Sequence, residues 1–197
     1  MKYTSIPVLV LADAGIPMIV VTLPGMLALL LPIILIEAWL CRKWLGLPPW
    51  VALKSNAAAN LASTLLGVPA AWCLAFLFEF FIFGTISDLP SIQRWNSPIA
   101  HIVETVLAPA WLGPAEKNLP WMIPLATIVL LLPTFFVSVV IETFVIGRML
   151  GTAEEDPSNL SSDRIGIAVR NANIATYGLL IVGSAVWLLV SLVRHPR

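Results

Sequence analysis

Four stretches of this chain, residues 18–41, 59–84, 121–145 and 173–193, are apolar over lengths that a soluble fold does not need. A helix must be predominantly apolar for about 20 residues to cross the hydrocarbon of a bilayer. In lipid every backbone N–H and C=O has to find its partner inside the protein, which leaves helices as the natural spanning form for runs of this kind. The expected fold class is therefore all-α, an integral membrane bundle of about four transmembrane helices with short interfacial helices beside them. Composition agrees: 59% of the residues are hydrophobic and 11% charged, against roughly 45–50% and about 25% in soluble domains. The internal prolines Pro24, Pro32, Pro69, Pro124 and Pro133 do not oppose the spans, because neighbouring helices re-satisfy the freed carbonyls; kinks are expected there.

The remaining segments read as connections. Residues 6–17, with Asp13, Gly15 and Pro17, are too short to span alone and are expected along the interface, a fifth crossing being the rival topology. Lys2 and the short run Ile6 to Ala12 superficially resemble a signal peptide, but the run continues into a longer apolar stretch and is read as part of an uncleaved anchor. In the long 85–120 connection, Ile99, Ile102, Val103, Val106 and Leu107 recur at helical spacing, with His101, Glu104 and Thr105 on the other side. That pattern predicts a short amphipathic helix on the membrane surface. Residues 146–172, with Glu154, Glu155, Asp156 and Pro157, read as a solvated loop. Trp39, Trp44, Trp50, Trp72, Trp111, Trp121 and Trp187 fall near the expected helix ends, as an interfacial aromatic belt requires.

Orientation follows from the lysines and arginines of the short loops. Arg42, Lys43, Lys54, Arg148, Arg164 and Arg170 belong to one side and Lys2, Arg94, Lys117, Arg194 and Arg197 to the other, six against five. The acid-free cluster Arg42, Lys43 and Lys54 at the first turn decides the expectation: termini and the 85–120 loop outside, in a bacterial inner membrane.

The chain also repeats itself. Residues 36–46, Ile-Glu-Ala-Trp-Leu-Cys-Arg-Lys-Trp-Leu-Gly, align without gaps with 141–151, Ile-Glu-Thr-Phe-Val-Ile-Gly-Arg-Met-Leu-Gly. After the turn, Ala59-Asn60-Leu61-Ala62-Ser63 matches Ala172-Asn173-Ile174-Ala175-Thr176, each following a base, Lys54 or Arg170. One membrane domain is expected over residues 1–197, with a first hairpin in 1–84, a connecting loop in 85–120 and a second hairpin in 121–197. Because an even number of crossings separates the copies, both hairpins point the same way, about an axis along the membrane normal. In this the chain resembles a kind of bacterial multi-pass membrane protein in which a hairpin with a late glutamate and an A-N-x-x-S/T start to the next helix occurs twice. The resemblance covers about 32–72 and 133–180, rests on Glu37, Asn60, Ser63, Glu142, Asn173 and Thr176, and implies no activity.

Those six residues are the candidate site. Glu37 precedes Lys43 by six residues and Glu142 precedes Arg148 by six, which puts each carboxylate about 9 Å along the helix from a base at the membrane edge. Asn60 lies a similar distance beyond Lys54, so acid and amide of one hairpin are expected at one depth. Arg42, Lys43, Lys54, Arg148 and Arg170 are the expected edge bases. An acid inside a spanning helix costs on the order of 2.5–3.5 kcal/mol and is normally partnered within the bundle. The 21 uncharged residues from Trp121 to Ile141 also permit Glu142 to sit at the headgroup boundary.

Two functions compete on this evidence of spacing. The pairs act as interhelical clasps in a structural or assembly subunit of a membrane complex, or they meet at the repeat axis as a proton, ion or headgroup pathway in a small transporter. Four helices make a thin wall, so either role implies an oligomer or a larger partner beside the lipid bilayer itself. Zero net charge and the absence of a basic block disfavour nucleic acid. No HExxH, GxSxG, P-loop or GxGxxG motif is present, so no catalytic residue and no cofactor are assigned. Cys41 and Cys73 have no CxxC spacing, and His101 with Glu104 lacks a further ligand, so no metal site is assigned either. Glu79 reads as an acid near the far interface.

Overall fold

A computed structural model describes residues 16–86, 98–112, 118–151 and 161–194. Strand β1 (Ile16–Pro17) leads into α1 (Met18–Leu45), and α2 (Pro49–Ala62) runs through a π turn (Ser63–Gly67) into α3 (Val68–Ile86). Then come α4 (Pro98–Leu107), β2 (Trp111–Leu112), α5 (Leu119–Gly151) and α6 (Ser162–Arg194). Among the described residues four rods, α1, α2 with α3, α5 and α6, are long and apolar enough to cross a membrane. In the apolar window of α1 the mean hydropathy is 2.7, yet only 6% of that window is buried inside the protein. Apolar surface on that scale has lipid as its solvent, and the chain is an integral membrane protein.

Each helix exceeds its apolar run, because internal backbone pairing carries a helix past the edge of the hydrocarbon until something stops it. Gly46 stops α1: it adopts a left-handed φ of 71° and its N–H caps the Arg42 carbonyl at 3.0 Å. Pro49, at the first position of α2, starts the return without losing a needed donor. The turn is thus only residues 46–48. The expected solvated loop 146–172 is likewise corrected: α5 continues to Gly151 and α6 begins at Ser162, while Glu154, Glu155, Asp156 and Pro157 lie outside the described residues.

Pro24, Pro32, Pro124 and Pro133 stay inside their helices. Pro69 sits just past the π turn, where the Val68 N–H bonds the Ser63 carbonyl. A proline ring collides with the carbonyl four residues back in regular α geometry, and a turn widened by one residue relieves the collision. There the helix lies close on α5: a Cβ built on Gly67 would stand 3.1 Å from Ile141 Cδ1 and 3.4 Å from Val137 Cγ1.

The rods form a square in which α1 packs on α2 and α6, and α5 packs on α6 and on the α2–α3 rod. The first helix of each hairpin thus touches the second helix of the other. Two apolar layers lie toward the two ends. Cys41, Leu45, Ala52, Ile146, Leu150 and Val169 belong to the layer on the side of Arg42 and Lys43; Met18, Ala110, Leu112, Trp121, Met122 and Leu130 belong to the far one.

At the far end β1 pairs antiparallel with β2, Ile16 opposite Leu112. Residues 6–15 of the expected interfacial segment lie outside the described residues. The predicted amphipathic helix is α4, with Ile102, Val103, Val106 and Leu107 facing outward and His101 3.6 Å from Glu104. Thr105 differs from expectation: it is buried and bonds the His101 carbonyl at 2.6 Å, because α4 rests that edge against α5. Trp39, Trp44 and Trp50 are exposed as an aromatic belt requires, but Trp121 is core, its indole covered by the far apolar layer.

Candidate functional site

Glu37 and Glu142 arrive from the first helix of each hairpin, 1% and 2% exposed, so both carboxyl groups face the bundle and neither is offered to headgroups. Asn60 Nδ2 donates to Glu37 Oε2 at 2.6 Å, and Asn173 Nδ2 donates to Glu142 Oε2 at 2.6 Å. These bonds run within each hairpin. The hydroxyls cross over: Thr176 Oγ1 donates to Glu37 Oε1 at 2.6 Å and Ser63 Oγ to Glu142 Oε1 at 2.7 Å. Every carboxylate oxygen therefore has a donor, one from its own hairpin and one from the other. The four bonds gather the two acids into one buried polar core.

Helical periodicity builds the donor face. Asn60 and Ser63, like Asn173 and Thr176, are three residues apart, one turn along one side. Each asparagine is held from behind, Asn60 Nδ2 by the Asn56 carbonyl and Asn173 Nδ2 by the Val169 carbonyl, both at 3.1 Å. Since both neighbours of each nitrogen are acceptors, turning the amide over would set oxygen against oxygen, so the network fixes the orientation. Among the described residues one acceptor is left over: Asn173 Oδ1, wholly buried, has no hydrogen-bond partner there.

Two contacts extend the polar core beyond the six residues read from sequence. Ser138 and Tyr177 hydroxyls meet at 2.8 Å, one turn from Glu142 and one residue from Thr176. Spacing to Glu142 would have found Ser138; nothing in the pattern singles out Tyr177. Glu79 is the other: it is buried and accepts the Ala110 N–H at 3.1 Å, while Trp72 Nε1 donates to the Ala110 carbonyl at 3.0 Å. This acid pins the chain after α4 onto α3.

The edge bases Arg42, Lys43, Lys54, Arg148 and Arg170 are all exposed. Lys43 and Lys54 lie over the rings of Trp39 and Trp50, 5.5 and 5.8 Å from the centroids. Among the described residues no group of three or more His, Cys, Asp or Glu could hold a metal ion.

Beyond the network, toward the far end, the bundle axis is open. A cleft of about 620 Å³ runs between all four rods, its inner end at Thr176 and Ile36 and its outer end at Val21, Thr22 and Trp187. No protein-family model, curated protein or solved structure matches the chain.

Proposed function

We propose that the network is the lock of a four-span structural or assembly subunit in a bacterial inner membrane, with the base-bearing end inside and both termini outside. The observation that carries this reading is the crossing of the hydroxyls: a carboxylate completed only by the other hairpin ties the two hairpins into one arrangement. Matching roles for Glu37 and Glu142, Asn60 and Asn173, and Ser63 and Thr176 support a duplicated hairpin about an approximate twofold axis. Neither hairpin completes its own acid, so the network closes only when the two are packed together.

Glutamine and alanine separate this role from others. In Glu37→Gln the new NH2 turns toward Thr176, whose hydroxyl swings onto the Ala172 or Asn173 carbonyl at 3.3 or 3.2 Å. Hydroxyls reverse their role where amides do not. Glu37→Gln is therefore expected to stay within about 1 kcal/mol of the parent, whereas Glu37→Ala strands two donors and loses about 3–5 kcal/mol. Unfolding in mixed micelles measures both. Equal loss in the two variants would overturn the lock.

A second reading, a proton or cation pathway, is favoured by the unpartnered Asn173 Oδ1 beside the carboxyl pair. Proteoliposomes decide it: a pH- or ion-gradient-driven flux that vanishes in a folded Glu37→Gln, Glu142→Gln double variant establishes the pathway. Absence of flux from the parent protein under every gradient rules it out.

A further inference from the structure

Packed interiors leave few voids larger than a water molecule, so a space of about 620 Å³ on the bundle axis calls for an occupant. Its walls say what kind. Leucine, isoleucine, valine and methionine side chains dominate, and of the five hydroxyls among them all but that of Ser184 have their hydrogens engaged. Thr22, Thr127 and Thr134 donate to the carbonyls of Met18, Ile123 and Leu130 at 2.7–2.8 Å, and Thr176 donates to Glu37. Apolar cavities stay dry, because water needs two to four polar partners. The cleft also has little with which to grip a polar headgroup. Hydrocarbon is the matter that fits.

Length narrows the choice. From Thr176 at the inner end to Trp187 at the outer is eleven residues of α6, about 16 Å of helix. One leaflet of a hydrocarbon core of about 30 Å is about 15 Å deep. The cleft thus runs from the level of an interfacial tryptophan to the tail end of one leaflet, with its inner end closed by the carboxylate network. Two glycines widen it: a Cβ on Gly25 or Gly183 would meet nothing within 4 Å. We infer that this cleft is a binding site for one acyl chain of a phospholipid from the leaflet on the α4 side, its tail ending against Thr176 and its headgroup outside, level with Trp187. The inference is independent of whether the network is a lock or a pathway.

The full-length protein is reconstituted in phosphatidylethanolamine and phosphatidylglycerol vesicles doped with a phospholipid bearing a diazirine near the end of one chain, irradiated, and mapped by peptide mass spectrometry. Leu130, Leu131 and Thr134 line the cleft but are 7%, 5% and 7% exposed, so a chain lodged inside labels them. Leu132, Phe136 and Val140, on the outer face of the same helix, report ordinary lipid contact. The expected result is labelling of the first set in the parent and its fall by about tenfold in Gly183→Phe, the change that about 1.4 kcal/mol of lost binding brings. Gly178→Phe, with equal room but outside the cleft, leaves both sets unchanged. Gly25→Leu fills the same space from α1 and repeats the result should Gly183→Phe fail to fold. Parent labelling confined to the outer set would overturn the site and leave the cleft to a segment of this chain or a second copy. Undiminished labelling of the first set in a folded filling variant would overturn it as well.

Discussion

At the scale of single residues, the network shows what a hydroxyl is worth when its partner is on another rod. Thr176 and Thr127 both sit in spanning helices, but Thr176 donates to Glu37 while Thr127 donates only to the Ile123 carbonyl of its own helix. Thr176→Val keeps the shape and leaves Glu37 Oε1 without its donor, so a loss of about 1–3 kcal/mol is expected. Thr127→Val removes a bond that competes with the helix backbone and is expected within about 0.5 kcal/mol of the parent. Unfolding both variants under one set of conditions checks the contrast. The pairing of each glutamate with its own asparagine was legible from spacing, since depth along a helix follows from residue count. That Ser63 and Thr176 serve the opposite carboxylate was not, because periodicity tells which face a residue is on and not which rod stands opposite.

At the scale of elements, length alone gave the four rods, and the apolar period of 98–107 gave α4. The helix ends were less legible, since an apolar run measures hydrocarbon and the helix stops where a glycine or proline stops it, as at Gly46 and Pro49. Neither the close approach of α5 to Gly67 nor the role of Glu79 could be read, because each depends on a partner distant in sequence, Ile141 and Val137 in the one case and the Ala110 amide folding back onto α3 in the other. Both give predictions. Gly67→Leu drives a side chain into Ile141 and Val137 and is expected to lose about 1–3 kcal/mol, most of it restored by Ile141→Ala in the same chain. A double-mutant cycle on thermal unfolding measures the restoration. Glu79→Leu leaves the Ala110 N–H without its acceptor, so the segment 108–112 should become open to proteolysis while the four rods keep their helical circular dichroism.

At the scale of the whole molecule, the two cysteines sample opposite surroundings. Cys41 is buried in the apolar layer beneath the network, while Cys73 is exposed on the outer face of α3. In a Cys73→Ala chain in micelles a small maleimide should modify Cys41 only when the bundle opens, so that rate reports global unfolding. In Glu37→Ala that rate should rise with the measured loss of stability. The crossing of the hydroxyls has a further consequence for how such a protein is made. Thr176 lies 139 residues downstream of Glu37, so the acid of α1 enters the bilayer long before its ligand on α6 has left the ribosome. Until α6 is threaded, the nascent chain carries an incompletely partnered carboxyl group in the membrane. A truncated or stalled product would bear that mark permanently, giving a membrane protease a chemical means of telling unfinished chains from finished ones.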